Sequence, residues 1–318
     1  MEKAACPAMS ATETQLVKYF AKKSKLSAAK FPIGIGDDMA QIKLRKKDSV
    51  LITTDMLLDG THFDTKKTTL EKIGYKSMAA SLSDCAAMAT IPLAAVVSVA
   101  LPRNFGAKNL KKLHAGIISA AKKYNCPLIG GDMTSWNKPL AGSTSSLLAV
   151  SVSMLSTPGK TKPVRRSTAK VGDVICVTGN LGGSLVKKHL EFQPRIKEAL
   201  AIARAGANSM MDISDGLSTD LNHICRLSKK GAILDAAKIP VSKDAKTLQN
   251  ALNDGEDFEL LFTIPFKSFE RLKKNWKFKT RLTAIGKIIK GDSVKIKMQN
   301  DKICDLLPGG YDHLRKTK

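Results

Sequence analysis

The chain has 318 residues, 43% of them hydrophobic and 25% charged, enough apolar material for a large buried core and two domains. Its longest apolar runs, Leu93 to Leu101 and Ser146 to Leu155, fall far short of the ~20 residues of a bilayer span, so no membrane helix is expected. A formal charge of +24 suits anionic partners, but the basic residues recur along the whole chain and aromatics are only 5%, which argues for a lysine-rich solvated surface over a specific nucleic-acid site.

From the N-terminus, Thr14 to Lys23 reads as an amphipathic helix with Leu16, Tyr19 and Phe20 on one side. The first residues mix charges and lack a sustained apolar core with a small-residue cleavage site, so no secretory leader is expected and the cytoplasm is the expected location. Met39 to Leu44 and Ser49 to Thr54 read as short strands. Leu70 to Met88 reads as a helix, with Ile73, Met78, Leu82 and Ala86 at helical spacings. A Val- and Ala-rich strand at Leu93 to Leu101 stops at Pro102, and Ala107 to Tyr124 returns to helical periodicity through Leu110, Leu113, Ile117 and Ala121. Cys126 to Ile129 is a strand leading into Gly130-Gly131-Asp132, and Ser145 to Leu155 is a longer one. Ser156 to Lys170 is rich in Pro, Lys and Arg, which marks a connector and divides the chain into domains 1–157 and 158–318. Beyond it, strands are expected at Asp173 to Thr178, Phe258 to Thr263 and Leu282 to Ile289, and helices at Ser184 to Leu190, Pro194 to Ala205 and Asp215 to Leu227.

The six cysteines lie dozens of residues apart and form no CxxC pair, which argues against zinc and against a disulfide framework. Chemistry is carried instead by aspartates set beside glycines or at strand ends: Gly36-Asp37-Asp38, Thr53-Thr54-Asp55, Ser83-Asp84, Gly130-Gly131-Asp132, Asp212-Ile213-Ser214-Asp215-Gly216 and Gly255-Glu256-Asp257. Any one of these is explained by a turn or a helix cap. If several meet in one cleft, their repulsion requires a cation, and an Asp, Ser and Thr set suits the hard, oxygen-seeking Mg²⁺.

In wording and order, Phe31-Pro-Ile-Gly-Ile-Gly-Asp-Asp38, Thr53-Thr-Asp-Met-Leu-Leu-Asp-Gly-Thr-His-Phe63, Leu82-Ser-Asp-Cys-Ala-Ala-Met88, Ile129-Gly-Gly-Asp132, Asp212-Ile-Ser-Asp-Gly-Leu217, Gly255-Glu-Asp-Phe-Glu-Leu260 and the terminal Gly309-Gly-Tyr-Asp-His313 resemble the thiamine-monophosphate kinases. The resemblance implies a two-domain aminoimidazole ribonucleotide synthetase-like fold, with an N-terminal α/β domain contributing to a dimeric sheet or barrel and a C-terminal α+β domain. It implies several Mg²⁺ ions held by Asp38, Thr53, Thr54, Asp55, Asp84, Asp132, Asp212 and Asp215, with Asp84, Asp212 and Arg166 carrying catalysis. It further implies nucleotide contacts from Gly131, Asp132, Arg166 and Ser214, acceptor contacts from His62, Glu256 and Tyr311, and a homodimer with neither a nucleic-acid nor a membrane partner. Taken alone, His62 and Tyr311 read as packing residues. Asp37 reads as a turn or supporting residue and Asp59 as a loop cap.

The activity implied is transfer of a phosphoryl group from ATP to thiamine monophosphate. The alternatives are another ATP-dependent member of the same superfamily, acting on an amide, carboxamide or selenium substrate, and a basic nucleic-acid-binding protein that keeps the fold. Gly179-Asn180-Leu181-Gly182-Gly183-Ser184 could offer amides to a phosphate but lacks the ending of a P-loop. Ala89 stands where the family usually has glycine, and Thr168 and Val171 where glycine and proline are usual.

Overall fold

A computed structural model describes residues 26–45, 48–136 and 147–314, with 15, 17, 18, 21 and 22. Those five isolated residues are helical, and the rest of the helix expected at Thr14 to Lys23 lies outside the described residues.

The first sheet has the order β1-β2-β5-β3-β4, from Ala40–Lys43 (β1), Ser49–Leu58 (β2), Thr90–Leu101 (β3), Leu128–Ser135 (β4) and Ala149–Pro158 (β5). Its pairings are antiparallel except β3 with β4. β2 runs past Thr54 to Leu58, and β5 absorbs Ser156 to Pro158 from the expected connector. β4 runs through Gly130-Gly131-Asp132 rather than ending before it. One face of this sheet is covered by α1 (Leu70–Ala87) and α2 (Gly106–Lys123). The other face leaves Ile52, Met56 and Leu58 of β2 and Ile91, Leu93 and Val96 of β3 exposed.

The second sheet has the order β12-β11-β8-β10-β6-β9-β7. Its strands are Val174–Thr178 (β6), Ser209–Asp212 (β7), Gly231–Asp235 (β8), Leu260–Ile264 (β9), Leu282–Ile289 (β10), Val294–Lys297 (β11) and Ile303–Asp305 (β12). Around it lie α3 (Ile196–Ala205), α4 (Leu217–Ser228), α5 (Leu248–Asn253) and α6 (Phe266–Lys274). Ser184 to Leu190 forms two short 3-10 turns instead of the expected α-helix.

Alternation along the central strands divides the apolar interior. Cys176, Met210, Leu260, Phe262 and Ile264 point into a core shared with the first sheet, whereas Val177, Met211 and Leu261 point the other way, toward α4. The shared core is threaded by α1, whose buried residues face every direction, including Ile73, Lys76, Met78, Ser81, Leu82 and Ser83. A helix covered on all sides has no solvent face and therefore little amphipathic contrast. Its crossing with α2 is close: a Cβ on Gly74 would stand 2.1 Å from the Leu113 carbonyl oxygen, and one on Gly116 1.9 Å from that of Glu71. The chain then turns into β3 through Ala89, which is fully buried and left-handed at φ 53°.

Candidate active site

α1 meets both sheets, and its C-terminal half carries the polar residues that organise the acidic side chains. Ser81 donates to Asp55 on β2, Ser83 Oγ donates to Asp212 Oδ2 at the end of β7 (2.6 Å), and Thr53 on β2 donates to Asp84. From the loop before β1 comes Asp38. Oxygens of Asp38, Asp84 and Asp212 lie within 4.8 Å of one another. Burial and the neighbouring carboxylates push Asp84 well above the usual carboxylate range. For Asp212, burial and then Asp38 bring the pKa to about 7. Asp55 is raised by burial, an effect partly opposed by the Ser81 hydrogen bond.

Arg166 answers part of this negative charge. Its guanidinium forks onto Asp38, with Nε to Oδ2 at 2.8 Å and Nη2 to Oδ1 at 2.5 Å. Asp37 accepts the Arg166 backbone N–H at 2.7 Å and Arg165 Nε at 3.4 Å, so it fixes the segment that presents Arg166.

Asp215 belongs to a second group beside the first, with ligand atoms of Asp215, Asp220 and His223 within 4.8 Å of one another. Asp220 is fully buried and accepts the N–H groups of Asp215 (3.3 Å) and Gly216 (3.1 Å), holding the turn into α4. The same turn presents Ser214, whose carbonyl accepts the Glu256 N–H at 2.7 Å.

Two of the expected ligands lie apart within one chain. Side chains alternate along β2, so Thr53 and Asp55 point toward α1 while Thr54 points outward and contacts Ser153 Oγ at 3.0 Å. Asp132 is in register with Ser98, Ser98 with Ser151, and Ser151 with Met56, which puts Asp132 on that same outer face, three strand spacings or about 14 Å from β2. Gly131 and Asp132 instead line a cavity of about 530 Å³ between α2 and the β3–β4 edge, walled by Val97, Val99, Leu110, Leu113 and Ile117. The cavity and the acidic cluster are therefore separate features of one chain.

A third grouping surrounds Lys76 of α1, one of the largest fully buried side chains. Its ammonium contacts Glu256 Oε1 (2.8 Å) and Oε2 (2.7 Å), His189 Nδ1 (2.9 Å) and the His62 carbonyl oxygen (2.5 Å). The His62 ring lies 5.5 Å from that of His313, which lies 4.8 Å from Tyr311. The C-terminal segment is tied down by the Tyr311 N–H to the Asp215 carbonyl (3.0 Å) and the Gly310 N–H to Thr219 Oγ1 (3.0 Å). His62, Glu256 and Tyr311 thus share one region with His313, which closes the terminal motif, and with two residues that the motifs did not mark: Lys76 and His189. A lysine between Ile73 and Met78, on a helix buried along most of its length, is the available signal for Lys76. The glycine-rich turn at Gly179 to Ser184 has its amides engaged, Gly182 N–H by Asp257 (3.0 Å) and Gly183 N–H by Asp254 (2.9 Å). Asp59 is a loop cap, accepting Thr65 N–H at 3.0 Å.

Comparison with known proteins places this geometry. The AIR synthase related protein N-terminal domain matches residues 36–155 and the corresponding C-terminal domain residues 170–299. The thiamine-monophosphate kinase of Buchnera aphidicola from Acyrthosiphon pisum is 36% identical, with 96% of this chain and 99% of that protein covered. The chain belongs to the thiamine-monophosphate kinase family. Another member, from Rhodopirellula baltica, is 32% identical over 88% of this chain and 91% of its own length. Among solved structures, that of AaThiL complexed with AMPPCP and TMP superposes with a TM-score of 0.80 at 26% identity, covering 98% of this chain and all of that one. A chain of the HypE-HypF complex, at 17% identity and TM-score 0.71, shares the fold of this thiamine-monophosphate kinase family member. Among the described residues no helix is long and apolar enough to cross a membrane.

Proposed function

We propose that this chain transfers the γ-phosphoryl group of ATP to thiamine monophosphate, giving thiamine diphosphate and ADP. The observation that carries the reading is the convergence of Asp38, Asp84 and Asp212 within 4.8 Å, in a chain similar to thiamine-monophosphate kinases over nearly its whole length. The donor set fits a hard divalent cation: carboxylates whose ionised forms repel one another, a neutral threonine hydroxyl beside them, and Arg166 paired against Asp38. Asp38, Thr53, Asp55, Asp84 and Asp212 hold such ions, with Asp215 and Ser214 on the adjoining turn. Magnesium, when bound, neutralises the phosphate oxygens and lets two anionic reactants approach.

The chain's own residues position the reactants. A phosphate monoester has its second pKa near 6, so the acceptor needs no strong base. One of its oxygens bonds to the γ-phosphorus as the bond to the bridging oxygen breaks and ADP leaves. Arg166, held by Asp37 and Asp38, supports charge on the transferred group. The apolar cavity beside Gly131 suits a nucleoside, and the His62, Glu256 and Tyr311 region suits the acceptor.

The domains divide at 157/158, and the chain is a cytoplasmic homodimer. The exposed apolar face of the first sheet, with Ile52, Met56, Leu93 and Val96, is the surface that a second copy covers, bringing Thr54 and Asp132 into the shared interface. Incubation with ATP, Mg²⁺ and thiamine monophosphate, followed by mass detection, is expected to yield thiamine diphosphate and ADP in equal amounts. Absence of both products from folded, Mg²⁺-supplied protein overturns the assignment.

A further inference from the structure

An ammonium group has three N–H donors and no acceptor. Lys76 Nζ lies against three different segments: it donates to the His62 carbonyl in the loop after β2 and to the Glu256 carboxylate in the loop before β9, and it stands 2.9 Å from His189 Nδ1 in the 3-10 turn. No one of these segments is close to another in sequence, and none is a regular helix or strand, so their relative placement depends on what joins them. The joining atom belongs to α1, the most enclosed helix among the described residues. The Lys76 side chain is 1% exposed and that of Glu256 20%, so Glu256 keeps a surface toward the cleft that Lys76 lacks. Glu256 also sits at φ 51°, a conformation that a non-glycine residue holds only where its surroundings over-determine it.

We propose that Lys76 is a positioning residue for the phosphate acceptor: it does not touch the acceptor, but sets the carboxylate of Glu256 and the His62 loop against it. This rests on the phosphoryl-transfer reading above. His189 Nδ1, 2.9 Å from both Lys76 Nζ and Glu256 Oε2, closes the network from the far side. A buried carboxylate held by two such neighbours stays ionised, as burial alone would not allow, and His189 and Lys76 hold Glu256 below its ordinary range. An ionised, immobile carboxylate is the group that recognises a cationic ring, and the acceptor carries a thiazolium.

The test separates acceptor binding from folding and from metal chemistry. Wild-type protein is first assayed with ATP, Mg²⁺ and thiamine monophosphate; failure to form product sinks the phosphoryl-transfer reading, and with it this inference. With wild-type turnover in hand, Lys76→Met is expected to raise KM for the acceptor about tenfold or more while KM for ATP stays within about twofold. A purely structural role would lower kcat through the folded fraction and leave the acceptor KM unmoved. Since Lys76→Met strands a buried carboxylate, Lys76→Met/Glu256→Leu supplies a variant with neither charge. Its acceptor KM is expected to match that of Glu256→Leu alone, since Lys76 acts through Glu256. Two results each overturn the proposal: an acceptor KM within about twofold of wild type in folded Lys76→Met, or effects of the two substitutions that multiply in the double variant.

Discussion

Asp212 gives the sharpest test of the acidic cluster, because one substitution should move stability and activity in opposite directions. Its carboxyl is 3% exposed and titrates at about 7, against 3.8 for the free side chain, because burial and then Asp38 disfavour the ionised form. A group whose native pKa is raised contributes its full stability below the unfolded pKa and loses it as pH rises through the native one. Across the window from about 4 to about 7, that loss reaches about 4 kcal/mol. Water and counterions entering the cleft reduce it to about 2 kcal/mol. Asp212→Asn keeps an acceptor for Ser83 and removes the charge. In metal-free protein at pH 8 it is expected to melt about 4–8 °C higher than wild type, and the advantage should shrink to under about 1 kcal/mol near pH 4. Turnover should fall at least about 100-fold. Paired melts at pH 8 and pH 4 without metal, with a turnover assay in saturating Mg²⁺, make the measurement. A variant no more stable at pH 8 than wild type, or one that retains wild-type turnover, refutes the account of a strained cluster relieved by metal.

Mg²⁺ should raise the melting temperature of wild-type protein more at pH 8 than at pH 5, since Asp84 and Asp212 must lose protons to bind it; equal shifts at both pH values would contradict this. Ala89→Gly should stabilise by about 0.5–1 kcal/mol in chemical denaturation, because relief of a left-handed alanine exceeds the added freedom of the unfolded chain. Met56→Asp, on the outer sheet face, should convert a dimer to monomers in sedimentation velocity without altering the melting of the monomer core; an unchanged sedimentation coefficient would remove that face as the interface.

Much of the site was readable because catalysis by anion pairing demands carboxylates beside small residues, and the sequence displays them as separate short words. Less visible were the residues that hold those carboxylates. Ser81 and Ser83 look like ordinary members of a small-residue helix, and only the fold shows that they point at Asp55 and Asp212, which come from different sheets. Thr54 is the converse case: period-two alternation within Thr53-Thr54-Asp55 already puts it on the opposite face once β2 is known to continue to Leu58. Asp132 is expected to follow a strand, but β4 runs through it, with Gly131 close against the Val97 carbonyl, where a Cβ would stand 2.0 Å away. The helix expected at Ser184 to Leu190 is interrupted at Lys187, whose extended φ of −160° divides the segment into two 3-10 turns. Of the family departures, Ala89 has a visible cost in backbone conformation; Thr168 donates to the Arg165 carbonyl of its own turn (3.2 Å) and to the Asn208 carbonyl, and Val171 is exposed.

Because a single rod carries Lys76 and, just over two turns later, Asp84, the proposed acceptor region and the acidic cluster are spaced about 12 Å apart along a continuous hydrogen-bonded column. Loop motion around that column can admit and release reactants without changing this interval. The reach required of a substrate is thus written into the pitch of a helix, and a longer or shorter phosphate ester meets a fixed gauge.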